Sequence, residues 1–245
     1  MKKEIPQNNT AESYLIQRRR ILSDKSSFHV QEAYRTLRIN ISFSLPGDGC
    51  KCVCITSSNM REGKSINSLN IAISFARAGN RVLLVETDMR RPSLARLLIE
   101  KGTPGLSNIL VGQSTVEKAC RREIFENLDI IFSGDIPPNP AELLGSTAMD
   151  KLLEKAKTEY DYVFIDTPPI GVVSDVCVMA KHLDGALFLV YQNKTEKEMV
   201  VQCIRQMELS GIKLLGFVVN HMERTGKKYG YKYKSGEYGY SSSKK

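Results

Sequence analysis

The chain has 245 residues, of which 42% are apolar, with a formal charge of +8 and six cysteines. That length fits one α/β domain or two small ones with a sizeable core. No run of about 18 apolar residues occurs, which argues against a membrane-spanning helix, and six cysteines in a chain this long do not make a disulfide framework.

The start, Met1-Lys2-Lys3-Glu4-Ile5-Pro6-Gln7-Asn8-Asn9, is polar and lacks the apolar core of a signal peptide, so a cytosolic protein is expected. Residues 223–245 hold seven Lys or Arg against two Glu, a net +5. A basic surface suits nucleic acid or an anionic membrane. Here the charge is concentrated in a tail and no DNA-reading motif spacing accompanies it, so no nucleic-acid partner is expected.

Residues 1–24 are polar and charged without a period and read as a flexible arm. A helical pattern follows from about Phe28 to Leu45, with Val30, Tyr34, Leu37 and Ile41 at three- and four-residue steps. Ser44-Leu45-Pro46-Gly47-Asp48-Gly49 ends it. Cys52–Thr56 is a short apolar run expected as a buried strand. Within it and just before it, Cys50, Cys52 and Cys54 alternate. Same-face strand positions converge poorly on a metal, so these cysteines read as small buried side chains.

A helix is expected from Lys64 to Ala78, stopped by Gly79-Asn80. Further strands are expected at Arg81–Glu86, Leu128–Phe132, Tyr162–Asp166, Gly185–Val190 and Leu214–Val219. Helices are expected at Ala141–Thr158 and Glu196–Leu209. Apolar strands alternating with helices imply an α/β fold, with a mostly parallel sheet flanked by helices on both faces. Right-handed crossovers then bring every strand's C-terminal end to one edge, where ligands bind. Thr56, Glu86, Asp88 and Asp166 fall at that edge.

Ser58-Asn59-Met60-Arg61-Glu62-Gly63-Lys64-Ser65 lies between the first strand and the first core helix. Backbone N–H groups there face phosphate, and the helix dipole favours its charge. Lys64 reaches the outer phosphates and Ser65 offers a hydroxyl to magnesium. Ser58 stands where the G-x-x-x-x-G-K-[ST] pattern has glycine, and an ordinary Gly-Lys-Ser turn is the competing reading. Asp166 closes an apolar strand, the context of a magnesium-side carboxylate. Glu86-Thr87-Asp88 closes another, suiting metal coordination plus a proton acceptor, with a solvated turn as the alternative. Arg90 and Arg91 suit either phosphate, a neighbouring subunit or a solvated helix start. Asp175 reads as a cap of the helix after Ser174, with a site role as the alternative.

Taken together, these residues resemble the bacterial tyrosine kinase family of the capsule and exopolysaccharide type, over roughly residues 26–245. The resemblance rests on the phosphate loop, Val85-Glu86-Thr87-Asp88-Met89-Arg90-Arg91-Pro92, Pro137-Pro138-Asn139-Pro140-Ala141-Glu142-Leu143-Leu144 and Asp161–Pro169. A tail carrying Tyr229, Tyr231, Tyr233, Tyr238 and Tyr240 completes it. The family's fold is that of the P-loop NTPases of the Min and Par branch. Those ATPases carry an extra lysine early in the loop where this chain has Thr56, Ser57 and Ser58.

The resemblance implies three parts, an arm at 1–24, a kinase domain at 25–223 and a disordered tyrosine-rich tail at 224–245. It implies ATP and Mg²⁺ as cofactors, nucleotide contacts from Ser58 through Ile66, and an adenine contact from Asn220. Lys64, Glu86, Asp88 and Asp166 are the implied catalytic residues. Ser65, Asp88 and Asp166 are the implied magnesium set. Glu86 stands where the family usually has Asp, a candidate base for the tyrosine hydroxyl. Glu32, Arg35 and Arg38 match a family pattern for ring-like self-association, and an intrahelical Glu–Arg pair is the plain alternative. The implied activity is ATP-dependent tyrosine phosphorylation, with the five tail tyrosines as autophosphorylation sites and control of polysaccharide synthesis or export as the outcome. A membrane adaptor of the polysaccharide co-polymerase type, a cognate tyrosine phosphatase and recruitment to the inner membrane face are implied as well. A Min- or Par-type spatial-organising ATPase and a non-catalytic nucleotide-binding regulator are the competing functions.

Overall fold

A computed structural model describes Ile16 and residues 18–222. The tail tyrosines Tyr229 to Tyr240 lie outside the described residues. Seven strands form one sheet in the order β3-β4-β2-β5-β1-β6-β7. They are β1 (Lys51–Ser57), β2 (Val82–Glu86), β3 (Cys120–Phe125), β4 (Leu128–Ile131), β5 (Tyr162–Asp166), β6 (Gly185–Tyr191) and β7 (Leu214–Asn220). All neighbours pair in parallel except β3, which runs antiparallel to β4 at one edge.

The central strands are apolar on both faces because both faces are covered. Along β1 the period of two deals side chains to two cores. Cys52 and Cys54 join Leu83, Val163, Phe188 and Met207 on one side. Val53 and Ile55 join Leu69, Ile73, Phe75 and Phe164 on the other. Cys52 and Cys54 have no exposure, as expected for small buried side chains, and burial pushes the Cys54 thiol up to about 12.

Helix α1 (Phe28–Ser44) lies against helix α2 (Lys64–Ala76). Ile41 is buried, and Tyr34 and Leu37 pack against the second core, while Val30 stays exposed. Polar ties fix the pair. The Tyr34 hydroxyl donates to Asn67 Oδ1 at 2.9 Å, and Asn70 Nδ2 donates to the Tyr34 oxygen at 3.0 Å. Ahead of α1, Leu22 is buried and its N–H donates to Asn70 Oδ1 at 2.8 Å.

Short helices α3 (Leu94–Leu98), α4 (Leu106–Leu110) and α5 (Val116–Ala119) connect β2 to β3. The helix expected at 141–158 is two, α6 (Pro140–Leu144) and α7 (Thr147–Glu159). The break follows from local chemistry. Gly145 ends the first, and the Ser146 hydroxyl caps the second by accepting the Met149 N–H at 3.3 Å. Helix α8 (Lys197–Leu209) buries Cys203 and Met207 on the first core. Among the described residues no helix is long and apolar enough to cross a membrane.

Candidate active site

Register places the two acidic strand ends side by side. Asp166 on β5 is level with Ile55 on β1 and with Glu86 on β2. These strands occupy the middle of the sheet, so the phosphate loop leaving β1 sits beside both acidic strand ends. The chain reinforces this edge with side-chain bonds to backbone. The Thr87 hydroxyl donates to the Asp166 carbonyl at 2.9 Å, and the Thr167 hydroxyl donates to the Ile55 carbonyl at 2.9 Å.

Residues 58–65 wrap the N-terminus of α2. Gly63 has a φ of 94°, a left-handed conformation that favours glycine. It also leaves no room for a side chain, since a Cβ there would stand 2.2 Å from Asn220 Nδ2. That amide nitrogen donates to the Glu62 carbonyl at 2.9 Å. Asn220, at the end of β7, therefore sits beside the loop with its amide engaged by the loop's own backbone. Glu62 is buried and accepts the Asn59 N–H at 2.9 Å, and Thr195 donates its hydroxyl to the other carboxylate oxygen. These ties hold the loop from inside and from the ends of β6 and β7. Ser58 is buried, and its hydroxyl has no hydrogen-bond partner among the described residues. Ile66 is half-buried and packs its side chain against the second core.

Lys64 points inward. Its Nζ donates to Ser57 Oγ at 3.2 Å, the residue is 7% exposed, and burial lowers its pKa while Asp166, Asp88 and Glu62 raise it. Asp166 has no exposure, and Oδ1 accepts the Ser68 hydroxyl at 3.0 Å. Its carboxyl is pushed up to about 7, first by burial. The Ser65 hydroxyl and Lys64 counter this rise, and the charges of Glu86 and Asp88 add to it. Oδ2 of Asp166 is buried without a hydrogen-bond partner among the described residues. A buried carboxylate oxygen with an unused lone pair, next to a serine hydroxyl and a lysine, fits a divalent cation carrying phosphate. Ser65 and Asp166 are the residues that would hold it, and Asp88 lends negative charge from the neighbouring strand end.

Glu86 and Asp88 divide sharply. Glu86 has no exposure. Its Oε1 accepts the N–H groups of Ser93 at 2.6 Å and Leu94 at 2.7 Å, and its Oε2 accepts that of Ser133 at 3.2 Å. The carboxylate therefore caps α3 and ties it to the end of β4. Asp88 is half-exposed, and only its Oδ1 is engaged, by the Arg91 N–H at 2.9 Å. Of the two acids, only Asp88 keeps a carboxylate oxygen without a hydrogen bond among the described residues.

Two contacts were invisible in the sequence. Arg90 pairs with Asp175, which is 2% exposed. Asp175 is therefore an ion-pair partner, and the following turn (Cys177–His182) is capped at Val176 instead. Ser68, four residues after Lys64, shares the helix face of Lys64 and so reaches Asp166. On α1, Glu32 and Arg35 make an exposed pair at 3.4 Å, and Arg38 donates to the Ser74 carbonyl at 2.8 Å. The helix thus uses Arg38 to dock on α2 and leaves Glu32 and Arg35 on the surface.

A family model described as an AAA domain matches residues 50–183. The tyrosine-protein kinase YwqD of Bacillus subtilis is 39% identical over 213 residues, covering 87% of this chain and 86% of that protein. The chain belongs to the bacterial tyrosine kinase family. Among solved structures, the chimerical protein CapA2B2 superposes with a TM-score of 0.78 at 34% identity, covering 86% of this chain and 91% of that one. The kinase domain of the Escherichia coli tyrosine kinase ETK gives 0.74 at 30% identity, covering 82% and 80%. Within this fold Lys64 and Ser65 open α2, and Glu86 serves as a buried cap.

Proposed function

We propose that this chain is an ATP- and Mg²⁺-dependent protein-tyrosine kinase that phosphorylates the tyrosines of its own C-terminal tail. The observation that carries the reading is the meeting of Lys64, Ser65 and the unpartnered Oδ2 of Asp166 at the start of α2, with Asp88 on the neighbouring strand end. Bound magnesium and ATP supply the phosphoryl group and offset its charge. Lys64 and the loop N–H groups hold the outer phosphates. Asp88 orients the incoming tyrosine hydroxyl and takes its proton late, because phosphoryl transfer needs positioning more than covalent help. Glu86 keeps the Asp88 segment in place from below.

The acceptors are Tyr229, Tyr231, Tyr233, Tyr238 and Tyr240, from a neighbouring copy in a ring-like assembly that raises their effective concentration. The exposed Glu32 and Arg35 are the side chains of α1 available to that assembly. Each phosphate adds about −1.5 to −2 charges to a tail of net +5, so phosphorylation reverses its sign and loosens the ring. The cellular role is control of capsule or exopolysaccharide synthesis or export. It involves a co-polymerase-type membrane adaptor that recruits the kinase to the inner membrane face, and a phosphatase that resets it.

The test pairs tail mapping by mass spectrometry with phosphate release after incubation with ATP, magnesium and an adaptor segment. Phosphotyrosine in the tail supports the kinase. Rapid phosphate release with an unmodified tail supports a Min- or Par-type ATPase instead. Engagement of Glu86 by three backbone N–H groups is the one feature that favours a non-catalytic regulator. That reading requires tight nucleotide binding with no turnover.

A further inference from the structure

Arg61 is the one non-glycine residue of the phosphate loop with positive φ, at 63°. A side chain with a Cβ is disfavoured there relative to glycine, so the backbone carries strain that a glycine would release. The residue sits on the loop's exposed crest, Asn59-Met60-Arg61, while Ser57, Ser58, Glu62 and Lys64 around it are buried. Its guanidinium makes no ion pair or hydrogen bond among the described residues. The nearest acid in sequence, Glu62, is turned inward to the Asn59 N–H and the Thr195 hydroxyl. A strained position thus holds a cation with no partner among the described residues, at the rim of a cradle suited to several negative charges.

We propose that Arg61 is a catalytic cation of this site, its guanidinium folding over the terminal phosphates of the nucleotide bound on the same chain. The proposal rests on the phosphoryl-transfer reading above. Lys64 approaches from the buried side of the loop, and Arg61 from the solvent side. In the step, the bond between the β–γ bridging oxygen and the γ-phosphorus breaks, and the bond from the tyrosine oxygen to that phosphorus forms. The tyrosine proton passes to Asp88, and the bridging electron pair stays on the departing diphosphate. Arg61 transfers nothing. It donates hydrogen bonds to oxygens whose charge grows between reactant and transition state, which is where a planar cation accelerates the reaction.

The test uses the full chain with Arg61→Gly and Arg61→Lys, reading thermal midpoint, binding of fluorescent ATP and ADP with magnesium, and tail phosphorylation. Arg61→Gly is expected to hold or raise the midpoint, because it relieves the positive φ. It is expected to weaken ATP about tenfold more than ADP and to slow phosphorylation by about a hundredfold. Arg61→Lys is expected to recover part of both losses. Wild-type binding and rate in Arg61→Gly would overturn the proposal. So would equal loss of ATP and ADP with a lower midpoint, which marks a structural residue or a contact between copies. Wild-type protein that binds neither nucleotide overturns the underlying site reading, and that result is separate from any effect of the variants.

Discussion

Arg90 grips Asp175 through two contacts, Nε to Oδ2 at 2.9 Å and Nη2 to Oδ1 at 3.2 Å. The pair ties the loop after Asp88 to the loop after Asp166, so the two acidic strand ends share one brace. Asp175 is almost fully buried and Arg90 is partly exposed, so removing the arginine leaves a buried carboxylate unpaired. With solvent screening on the arginine side, Arg90→Ala is expected to cost about 1–3 kcal/mol. Chemical denaturation measures this, and the double variant with Asp175→Ala is expected to cost less than the two singles summed. Strict additivity would mean that the brace carries no coupling.

Glu86 and Asp88 stand two residues apart, yet the variants Glu86→Gln and Asp88→Asn are expected to fail in different ways. The three N–H groups around Glu86 have no use for an amide donor, so Glu86→Gln is expected to lose about 1–3 kcal/mol of stability. The folded fraction should retain a rate within about tenfold of wild type. Asp88→Asn is expected to keep its melting temperature and lose about 100-fold or more in rate, as removal of a general base does. Stopped assays normalised to folded protein separate the two. A dead but stable Glu86→Gln would return the base to Glu86.

The fold was legible because its strands are apolar on both faces, a pattern that survives without tertiary information. The strand that escaped notice, β3, is Cys120-Arg121-Arg122-Glu123-Ile124-Phe125, a half-exposed edge whose charges hide the period. Arg122 is there for a tertiary reason, since its guanidinium donates to Asp129 Oδ2 and to the Tyr160 hydroxyl. The phosphate loop and Asp166 were equally legible, as short motifs with one backbone geometry each. Glu86 was not. Its partners are main-chain N–H groups of Ser93, Leu94 and Ser133, and backbone donors leave no mark in a sequence. Asp175 was misread because its partner lies 85 residues away. Asn220 was placed correctly at the edge, but its hydrogen bond to the loop depends on how β7 aligns with β6 and α2.

Asp166 gives the protein without nucleotide a distinctive pH response. Its folded pKa of about 7 lies above the unfolded carboxyl range, so the folded state holds the proton more tightly. The contribution of this group to stability is therefore full at low pH and falls as pH rises from about 4 to about 7, by on the order of 4 kcal/mol. Asp166→Asn is expected to remove that slope and to melt above wild type at about pH 8, while losing magnesium-dependent nucleotide binding. Thermal melts across the range check this. A slope unchanged by the substitution would assign the response to other groups.

The proposed phosphoryl transfer from this loop to the tail is read in the intact mass of the purified chain after incubation with ATP, magnesium and an adaptor segment. The wild-type chain is expected to gain successive phosphates that peptide mapping assigns to Tyr229, Tyr231, Tyr233, Tyr238 and Tyr240. Lys64→Met, folded to the same melting temperature, is expected to gain none. An unmodified wild-type tail under conditions where ATP is bound, or equal phosphorylation of Lys64→Met, would rule out transfer from this loop to the tail.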